Sequence, residues 1–552
     1  MGAGAMDDLY MGVDVGTESA RAGVFDAEGT LLGAAACGFP VYREPPAFVE
    51  QSAEAIWQAV ASACRKAVAE SGVEPGRVQG IGFDATCSLV VVDAEGSPLP
   101  VGPSEDPDRN IIVWMDHRAV AQAERINLTG HAVLDYVGGR ISPEMQTPKL
   151  LWLKEHRPAV FQQAAHFFDL TDYLTWRASG SIARSTCTVT CKWTYLAHED
   201  RWDGGYFRDI GLGELADEGF RRIGTGIVDP GTPLGDGLTD AAAMDLGLTP
   251  GIAVGAGLID AHAGGIGTVG SAGDAAPSRH MAYVFGTSSC TMTTTAEPVF
   301  VPGIWGPYYS AMVPGQWLNE GGQSAAGAAI DQLLRFHPAS AEAQAEAAAA
   351  GQSLPAWLAA KAEAREEPGE RPARLAEGLH VVPEFLGNRA PHADPYTRAV
   401  IAGLGMATDT ESLVRLYIAG VCGLGYGLRQ IIEAQADAGA RIETIVISGG
   451  AGRSTLVRQL IADATGHPVT VPSTPEPVLL GSAILGAVAA GAQPTLTDAM
   501  ARMSSLQARH DPDQGAIGEW HSRRYALYGR LQQIAREAAA ETRQPMEDGL
   551  DK

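Results

Sequence analysis

Hydrophobic and polar residues in the first part of the chain alternate as they do in a β-meander. Residues 9–36, "LYMGVDVGTESARAGVFDAEGTLLGAAA", contain apolar runs separated by turn residues, which predicts three consecutive antiparallel strands. A helical pattern follows from about Ser52 to Ser71, where Ser52 is suited to cap the first turn and Gly72 to end the helix. The runs "RVQGIGFDAT" and "LVVVDAEGSPL" predict two more strands, the first of them buried and ending at Asp84.

A second meander is predicted near Met281, where "MAYVFGTSSCTMTTTAEP" again shows a strand, a glycine turn and a strand. The turn "FGTSS" at 285–289 echoes "VGTES" at 15–19, 270 positions earlier. A pattern that returns in this way indicates a repeated architecture, although five residues alone do not establish a duplication.

The last third of the chain predicts a βαβ unit and one insertion. The stretch "ETIVISGGAGRSTLVRQLIADATGHPVTVP" has the pattern strand, glycine turn, helix, strand, and 483–490 predicts a further apolar helix. Between Ala339 and Ala376 the chain is rich in Ala and Glu and then contains two prolines. We interpret that segment as a surface helix and a loop, a solvated insertion with no catalytic part.

Length and composition favour a folded enzyme of two domains. A chain of 552 residues exceeds what one hydrophobic core normally serves, and 45% apolar with 19% charged residues is globular composition. The formal charge of −25 disfavours nucleic acid and anionic membrane surfaces as partners. The same charge would repel ATP, so a nucleotide site needs local compensation by Mg²⁺, backbone N–H groups or a placed Arg.

The cysteines and the apolar runs indicate where the protein works. Seven cysteines with no CxxC pair predict neither a disulfide framework nor a zinc site, and Cys187 and Cys191, four residues apart, are interpreted as buried thiols without chemistry. The N-terminus "MGAGAMDDLY" lacks the features of a signal peptide, and no apolar run approaches the ~18 residues of a membrane span. A reducing cytoplasm is the expected location.

Three glycine turns offer places for phosphate or nucleotide. The first presents Gly16, Thr17 and Ser19 after Asp14 at a strand end, and Arg21 can add positive charge. An ordinary hairpin uses the same residue types, so the twin turn at 285–289 is what favours a phosphate site. The third turn, 449–451, permits close backbone approach, but the chain has neither a GxGxxG nor a GxxxxGK[ST] pattern there.

Seven motifs, in their order along the chain, resemble the FGGY carbohydrate kinases. They are "MGVDVGTESARAGVFD", "GIGFDATCSLVVVD", "IIVWMDHRA", "GLIDAHAGGIG", "FGTSSC", "FLGNRAPHADPYTR" and "SGGAGRSTLVRQLIADATGHPV". The resemblance implies an α/β fold of two ribonuclease H-like domains of the actin and sugar kinase type, with a cleft between them. It implies a sugar-binding domain over 1–270 and a nucleotide-binding domain over 271–552.

The resemblance also implies roles for individual residues. Asp260 in "GLIDAHAGG" is implied to be the general base that faces the accepting hydroxyl, and Asp14 to help hold Mg²⁺. A carboxylate within hydrogen-bond reach of an alcohol can take its proton as the bond to phosphorus forms, which agrees with that role. The residues implied to contact the ATP phosphates are Thr17, Ser19, Arg21, Gly286 and Thr287, and those on the adenosine side are Gly327, Gly450, Ala451 and Ser454.

The stretch "DATCSLVVVD" at 84–93 resembles the pentulose branch of the family, particularly the D-ribulokinases. The sugar-binding residues implied there, together with Asp260, are Thr86, Cys87, Trp114, Asp116, Lys192 and Glu320. From the residues alone, a packed tryptophan and a capping aspartate would explain Trp114 and Asp116 equally well. Likewise, Lys192 could be an ordinary surface lysine on a helix.

The expected reaction is transfer of the γ-phosphoryl group of ATP to D-ribulose, which yields D-ribulose 5-phosphate. L-ribulose, D-xylulose and ribitol are alternative acceptors, because one or two contacts can re-aim a hydroxyl group. A non-catalytic sugar sensor or an actin-like assembly protein is the rival from another class. The expected partners are a small sugar and ATP, and a homodimer is the oligomeric state left open.

Overall fold

The computed structural model describes residues 8–45, 47–270, 277–365 and 371–541. Its first sheet begins with the predicted meander, whose three strands pair antiparallel, and continues with two strands that run parallel to the first of them. In spatial order the strands are Ala253–Ile259, Val78–Ala85, Leu9–Val15, Ser19–Phe25 and Leu31–Gly38.

The second large sheet repeats this arrangement, as the echo of the two glycine turns predicts. Three of its strands form an antiparallel meander, and two strands from late in the chain run parallel to the first of them. One extra strand lies at each edge. In spatial order the strands are Trp305–Tyr309, Trp317–Gln323, Ser289–Thr295, His280–Phe285, Thr444–Ser448, Val469–Pro472 and Leu506–His510.

Smaller sheets and helices complete the layers. One further five-stranded sheet consists of Tyr42–Glu44, Phe48–Gln51, Ile111–Ile112, Leu89–Val92 and His166–Asp169. Two short sheets pair Arg184–Ser185 with Ile227–Val228 and His380–Val382 with Val400–Ala402. The α-helices of the described residues are Ala53–Ser71, Val120–Leu128, Gln146–His156, Pro158–Gln163, Leu170–Ser179, Thr186–Trp193, Gly204–Asp209, Gly213–Asp217, Asp240–Leu246, Asp260–Val269, Gly327–Arg335, Ser340–Ala349, Leu354–Glu363, Thr410–Asp437, Thr455–Thr465, Pro477–Ala489, Leu496–Met503 and Ala516–Glu541.

The first long helix begins and ends where the sequence predicts. The side chain of Ser52 accepts a hydrogen bond from the backbone N–H of Ala55 at 3.2 Å. Gly72 closes the helix in the left-handed conformation, with φ of 67°. A polar cap and a left-handed glycine satisfy the free backbone groups at the two helix ends, which explains why these local signals were sufficient.

The helix Pro477–Ala489 crosses from the second half of the chain onto the first sheet. A Cβ atom on Gly12 would lie 1.9 Å from the carbonyl oxygen of Leu479, and one on Gly82 would lie 2.0 Å from that of Ser482. Only glycine allows the backbones to approach so closely. As a result, residues near position 480 lie directly behind the strand ends that carry Asp14 and Asp84.

The Ala- and Glu-rich segment departs from its prediction. It contains the two helices Ser340–Ala349 and Leu354–Glu363 instead of one, and Leu354, Trp357 and Leu358 are buried in the core of the second half. The interpretation as a purely solvated insertion is therefore wrong. Small alanines had hidden the apolar face of the second helix, because the neighbouring Glu and Lys residues dominate the composition.

Among the described residues, no helix combines the length and the apolar character needed to cross a membrane. The division of the chain at 270/271 remains a prediction, since it falls next to residues outside the described ranges.

Candidate active site

Three aspartates lie at the carboxyl ends of three neighbouring parallel strands. Asp14 and Asp84 are aligned partners in the strand pair, and Leu258 is aligned with Asp84 on the other side. Asp260 follows directly as the first residue of the helix Asp260–Val269. Carboxyl ends of parallel strands meet at one edge of a sheet, so the fold gathers the three acidic groups.

Asp84 was not among the expected site residues, although its strand was predicted to end there. It is fully buried, and its Oδ2 accepts a hydrogen bond of 2.6 Å from the hydroxyl of Ser482. Its Oδ1 has no partner among the described residues. Burial, followed by the nearby Asp14, raises the pKa of Asp84 well above its usual value. An unpartnered buried carboxylate oxygen beside a second carboxylate is the kind of donor set that Mg²⁺ accepts.

Arg21 contacts two carboxylates, one just before the first glycine turn and one just before the helix Pro477–Ala489. Its Nε donates to Asp14 Oδ2 at 2.8 Å, and its Nη1 donates to Glu476 Oε2 at 2.9 Å. The guanidinium group therefore offsets part of the acidic charge at the strand ends. In this arrangement Arg21 contacts carboxylates, so its assignment to the ATP phosphates stays a prediction.

Asp260 has the environment of a general base. Its Oδ1 accepts a hydrogen bond of 2.7 Å from the backbone N–H of Ala261, and the residue is half-buried. Burial and the charge of Asp14 raise the pKa of Asp260 to about 6. A base with a pKa just below neutrality is largely ionised at neutral pH and still holds a proton well once it has taken one.

A cavity of about 670 Å³ opens beside the second and third glycine turns. The backbone N–H of Gly327 donates to the carbonyl oxygen of Gly286 at 2.9 Å, which joins a helix start to the second turn. The helix Leu354–Glu363, from the misread segment, forms another wall. The predicted ATP-binding residues that line this cavity are Gly286, Thr287, Gly327, Gly450, Ala451 and Ser454.

The first glycine turn does not line this cavity. Its Gly16 N–H donates to the carbonyl oxygen of Ser19 at 3.0 Å, which closes the turn. The hydroxyl of Thr17 accepts a hydrogen bond of 3.1 Å from the indole N–H of Trp114. A predicted phosphate residue and a predicted sugar residue are thus in direct contact, at the sheet edge that carries Asp14.

Lys192 and Glu320 meet where the two halves of the chain come together. Both are buried, which excludes the reading of Lys192 as a surface residue, and Lys192 Nζ lies 3.9 Å from Glu320 Oε2. The ammonium group also lies 4.7 Å from the ring centre of Trp305. Glu320 and Lys192 hold each other ionised: Lys192 lowers the pKa of Glu320, and Glu320 raises that of Lys192, in both cases against the effect of burial.

Thr86 and Cys87 directly follow the strand Val78–Ala85, and Cys87 lies near Lys192, whereas Asp116 is hydrogen-bonded to other parts of the protein. The Thr86 hydroxyl is 3.1 Å from that of Ser88, and burial raises the pKa of the Cys87 thiol to about 12 even though Lys192 is nearby. Asp116 is fully buried and accepts from Arg118 Nε at 2.9 Å and from the backbone N–H of Val49 at 2.6 Å. Both of its oxygens accept hydrogen bonds within the protein, and the N-cap of the following helix is Ala119 and not Asp116, so the assignment of Asp116 to the sugar stays a prediction.

Sequence reasoning missed the aromatic and cationic lining of this region. Trp305 has the Arg389 guanidinium 4.8 Å from its ring centre, in addition to Lys192. Arg389 Nη1 also lies 3.6 Å from Cys290 Sγ. The buried hydroxyl of Tyr308 has no partner among the described residues. Arg389 belongs to the quoted motif "FLGNRAPHADPYTR", so that motif was the available signal, while Trp305 and Tyr308 had none.

Comparison with known proteins identifies the fold and the enzyme class. A model described as the FGGY family of carbohydrate kinases, N-terminal domain, matches residues 9–267, and the corresponding C-terminal model matches residues 281–490. This chain belongs to the FGGY family of carbohydrate kinases. A sugar and ATP are accordingly its small-molecule substrates, and the resemblance seen in the sequence is confirmed.

Individual FGGY relatives match over most of their length. The chain is 47% identical to an FGGY carbohydrate kinase domain-containing protein of Homo sapiens, over 90% of this chain and 91% of that protein. It is 40% identical to a D-ribulokinase of Saccharomyces cerevisiae, over 87% of this chain and 72% of that protein. A xylulose kinase structure from Rhodospirillum rubrum superposes with a TM-score of 0.78 at 22% identity, covering 96% of this chain and all of that one. The last match confirms the predicted two-domain α/β fold.

Proposed function

We propose that this FGGY kinase transfers the γ-phosphoryl group of ATP to the 5-hydroxyl of D-ribulose. The observation that carries the proposal is the buried Lys192–Glu320 pair beside Cys87 and Trp305, at the junction of the two halves. Such a lining offers both donors and acceptors to a small polyol and rejects molecules that leave those groups unpaired. The similarity to the yeast D-ribulokinase supports a ketopentose as the acceptor.

Asp260 is the group we propose to accept the proton. Its Oδ1 is occupied by the Ala261 N–H, and the described residues supply no donor to Oδ2, which leaves that oxygen to contact the acceptor hydroxyl. As the hydroxyl oxygen forms its bond to the γ-phosphorus, the bond from that phosphorus to the β,γ-bridging oxygen breaks. The hydroxyl proton passes to Asp260, and ADP leaves with the bond electrons.

We propose that Asp14 and Asp84 would hold Mg²⁺, because both are buried carboxylates at the same sheet edge and Asp84 Oδ1 lacks a partner. Bound there, the ion would neutralise charge that develops on the transferring phosphoryl group. Arg21 and Ser482 then serve to orient the two carboxylates, through the contacts described above. The nucleoside part of ATP is assigned to the cavity formed by Gly286, Gly327 and the third glycine turn.

The acceptor is tested with the purified enzyme, ATP and Mg²⁺ against D-ribulose, L-ribulose, D-xylulose and ribitol. We expect the highest kcat/KM with D-ribulose and a product phosphorylated at the 5-hydroxyl, identified by phosphorus and proton NMR. A higher kcat/KM with another of these acceptors would replace D-ribulose as the substrate. ATP hydrolysis or filament formation without any sugar phosphate would instead favour the non-catalytic alternative.

A homodimer and a cytoplasmic location remain predictions. Sedimentation of the full chain tests the first, and localisation of the tagged protein tests the second.

A further inference from the structure

A buried network of sulfur, imidazole and carboxylate groups lies behind the proposed sugar site. His262 stands two residues after Asp260 and is fully buried. Its Nδ1 lies 3.1 Å from Cys187 Sγ, and its Nε2 lies 3.5 Å from Glu320 Oε2. Neither Cys187 nor His262 has a part in the reaction as written above, although their network ends on a residue that we assign to the sugar.

Several donors converge on the sulfur of Cys187. The backbone N–H of Ile259 donates to it at 3.4 Å, His262 Nδ1 lies 3.1 Å from it, and the Cys191 sulfur, from the next turn of the same helix, lies within 4.8 Å of it. Cys187 also lies in the first turn of the helix Thr186–Trp193, where the helix dipole favours negative charge. Against the effect of burial, these contacts and His262 lower the pKa of Cys187. A sulfur that accepts from several groups is best satisfied as a thiolate.

The other side of the imidazole ring faces a carboxylate. Nε2 forms no hydrogen bond among the described residues, and Glu320 is the acidic group beside it. Against the effect of burial, Cys187 and Glu320 raise the pKa of His262. Buried charges are tolerated when each has an opposite neighbour. The order Cys187, His262, Glu320, Lys192 places negative and positive groups alternately.

We propose that His262, anchored by Cys187, is a positioning residue that holds Glu320 in the orientation needed to bind the sugar. Glu320 lies on a strand of the second half of the chain, whereas His262 and Cys187 lie on helices of the first half. The contact therefore also fixes how the residues from the two halves are placed relative to one another around the sugar. The inference rests on the proposed assignment of Glu320 to the sugar.

Two amide substitutions distinguish the contact made by Nδ1 of the His262 imidazole from the contact made by Nε2. In His262→Asn the amide nitrogen lies near the position of Nδ1 and can reach Cys187 only, whereas in His262→Gln it lies near Nε2 and can reach Glu320. We expect His262→Asn to raise the KM for the sugar by about 10- to 100-fold, a range typical when the partner that orients a ligating group is removed. His262→Gln should have a clearly smaller effect, and the KM for ATP should not change in either variant.

Cys187→Ala tests the anchor, and Cys64→Ala is the matched control. Cys64 is equally buried but lies in the core behind the first sheet, away from the network. Cys187→Ala, like His262→Asn, should raise the KM for the sugar. In the variant that combines the two substitutions, the increase in KM should be smaller than the product of the two single increases, because both substitutions act on one contact. Cys64→Ala should leave the KM values unchanged, even if the melting temperature falls.

A measurement without catalysis keeps this inference separate from the proposed substrate. Nitrogen NMR of the imidazole in the full-length protein should show His262 protonated at both nitrogens at neutral pH, and Cys187→Ala should change that state. The proposal is overturned if the state is the same in both proteins, or if His262→Asn and His262→Gln raise the sugar KM equally. Cys187, Cys191 and His262 lie within 4.8 Å of one another, so stoichiometric zinc in the purified enzyme would also overturn it.

Discussion

The two halves of the molecule share a sheet topology but differ at matching strand ends. In the first sheet Asp14 is aligned with Asp84, and in the second sheet Val284 is aligned with Ser448. Asp14 and Val284 occupy matching positions, each two residues before the glycine of a Gly-Thr turn. The first edge is therefore acidic, while the second is neutral and borders the cavity that the glycine turns form. One repeated scaffold thus provides two chemically different sites through a few strand-end residues.

The crossing helix adds to this difference. Ser482 and Glu476 come from the second half of the chain, yet they contact Asp84 and Arg21 at the acidic edge of the first half. The neutral edge instead borders the helix Leu354–Glu363, which turns small residues toward the cavity.

Asp260→Asn should produce the largest effect, because it removes the only proton acceptor that we assign to the reaction. We expect kcat to fall by roughly 10²- to 10⁴-fold, the usual contribution of a general base. The dissociation constant for ATP, measured by calorimetry, should stay near that of the wild type. Full turnover in the variant would contradict the assignment of Asp260.

Asp84→Asn and Ser448→Ala compare the matching positions of the two edges directly. The first removes a carboxylate that we assign to Mg²⁺, and we expect an about 10- to 100-fold loss of activity, partly restored by more Mg²⁺. Ser448→Ala, at the neutral edge, should change activity much less. Equal losses in the two variants would mean that the acidic edge has no special role.

Ala356→Phe tests whether the nucleoside part of ATP binds in the cavity bordered by the helix Leu354–Glu363. Ala356 is exposed and lines the cavity, so a phenyl ring there should occupy space needed by the nucleoside. We expect the KM for ATP to rise by roughly tenfold, equivalent to about 1.4 kcal/mol, while the KM for the sugar is unchanged. Ala348→Phe, on the preceding helix and outside the cavity lining, is the control that should behave as the wild type.

The pH dependence should show the smallest effect and should differ between the two edges. The base form of Asp260 is the ionised one, and its pKa is raised to about 6. Activity with the sugar should therefore be constant above this value and fall as the pH decreases through it. The affinity for adenosine, which binds only at the neutral edge in our proposal, should not follow that curve.

The repeated meanders, the capped helix Ala53–Ser71 and the βαβ unit were predictable because each depends on local signals. Apolar alternation, a serine cap and glycine turns act within a few residues of the chain. The insertion was misread because its alanines are small and its charged residues numerous. Its helix Leu354–Glu363 becomes recognisable as a cavity wall only after the chain has folded.

The candidate site likewise contains some residues that the sequence indicated and others that only the structure brings to the site. The family resemblance implied Asp14, Asp260, Lys192 and Glu320, whereas the roles of Asp84, Trp305, Arg389 and His262 depend on contacts with residues far away in the chain. For Asp116 the sequence left a sugar contact and a helix cap as alternatives; its contacts with Arg118 and Val49 are not those of a helix cap, and the sugar contact stays a prediction.

What the sequence by itself determined was the enzyme family, the repeated strand and turn patterns, and the carboxylate proposed as the base, because short motifs record local backbone needs and chemistry. Only the tertiary structure decided which groups share a site. It set Glu476 beside Arg21, Ser482 beside Asp84 and Glu320 between Lys192 and His262. These contacts depend on how a crossing helix and two sheets pack, and packing of distant elements leaves no short pattern in the chain.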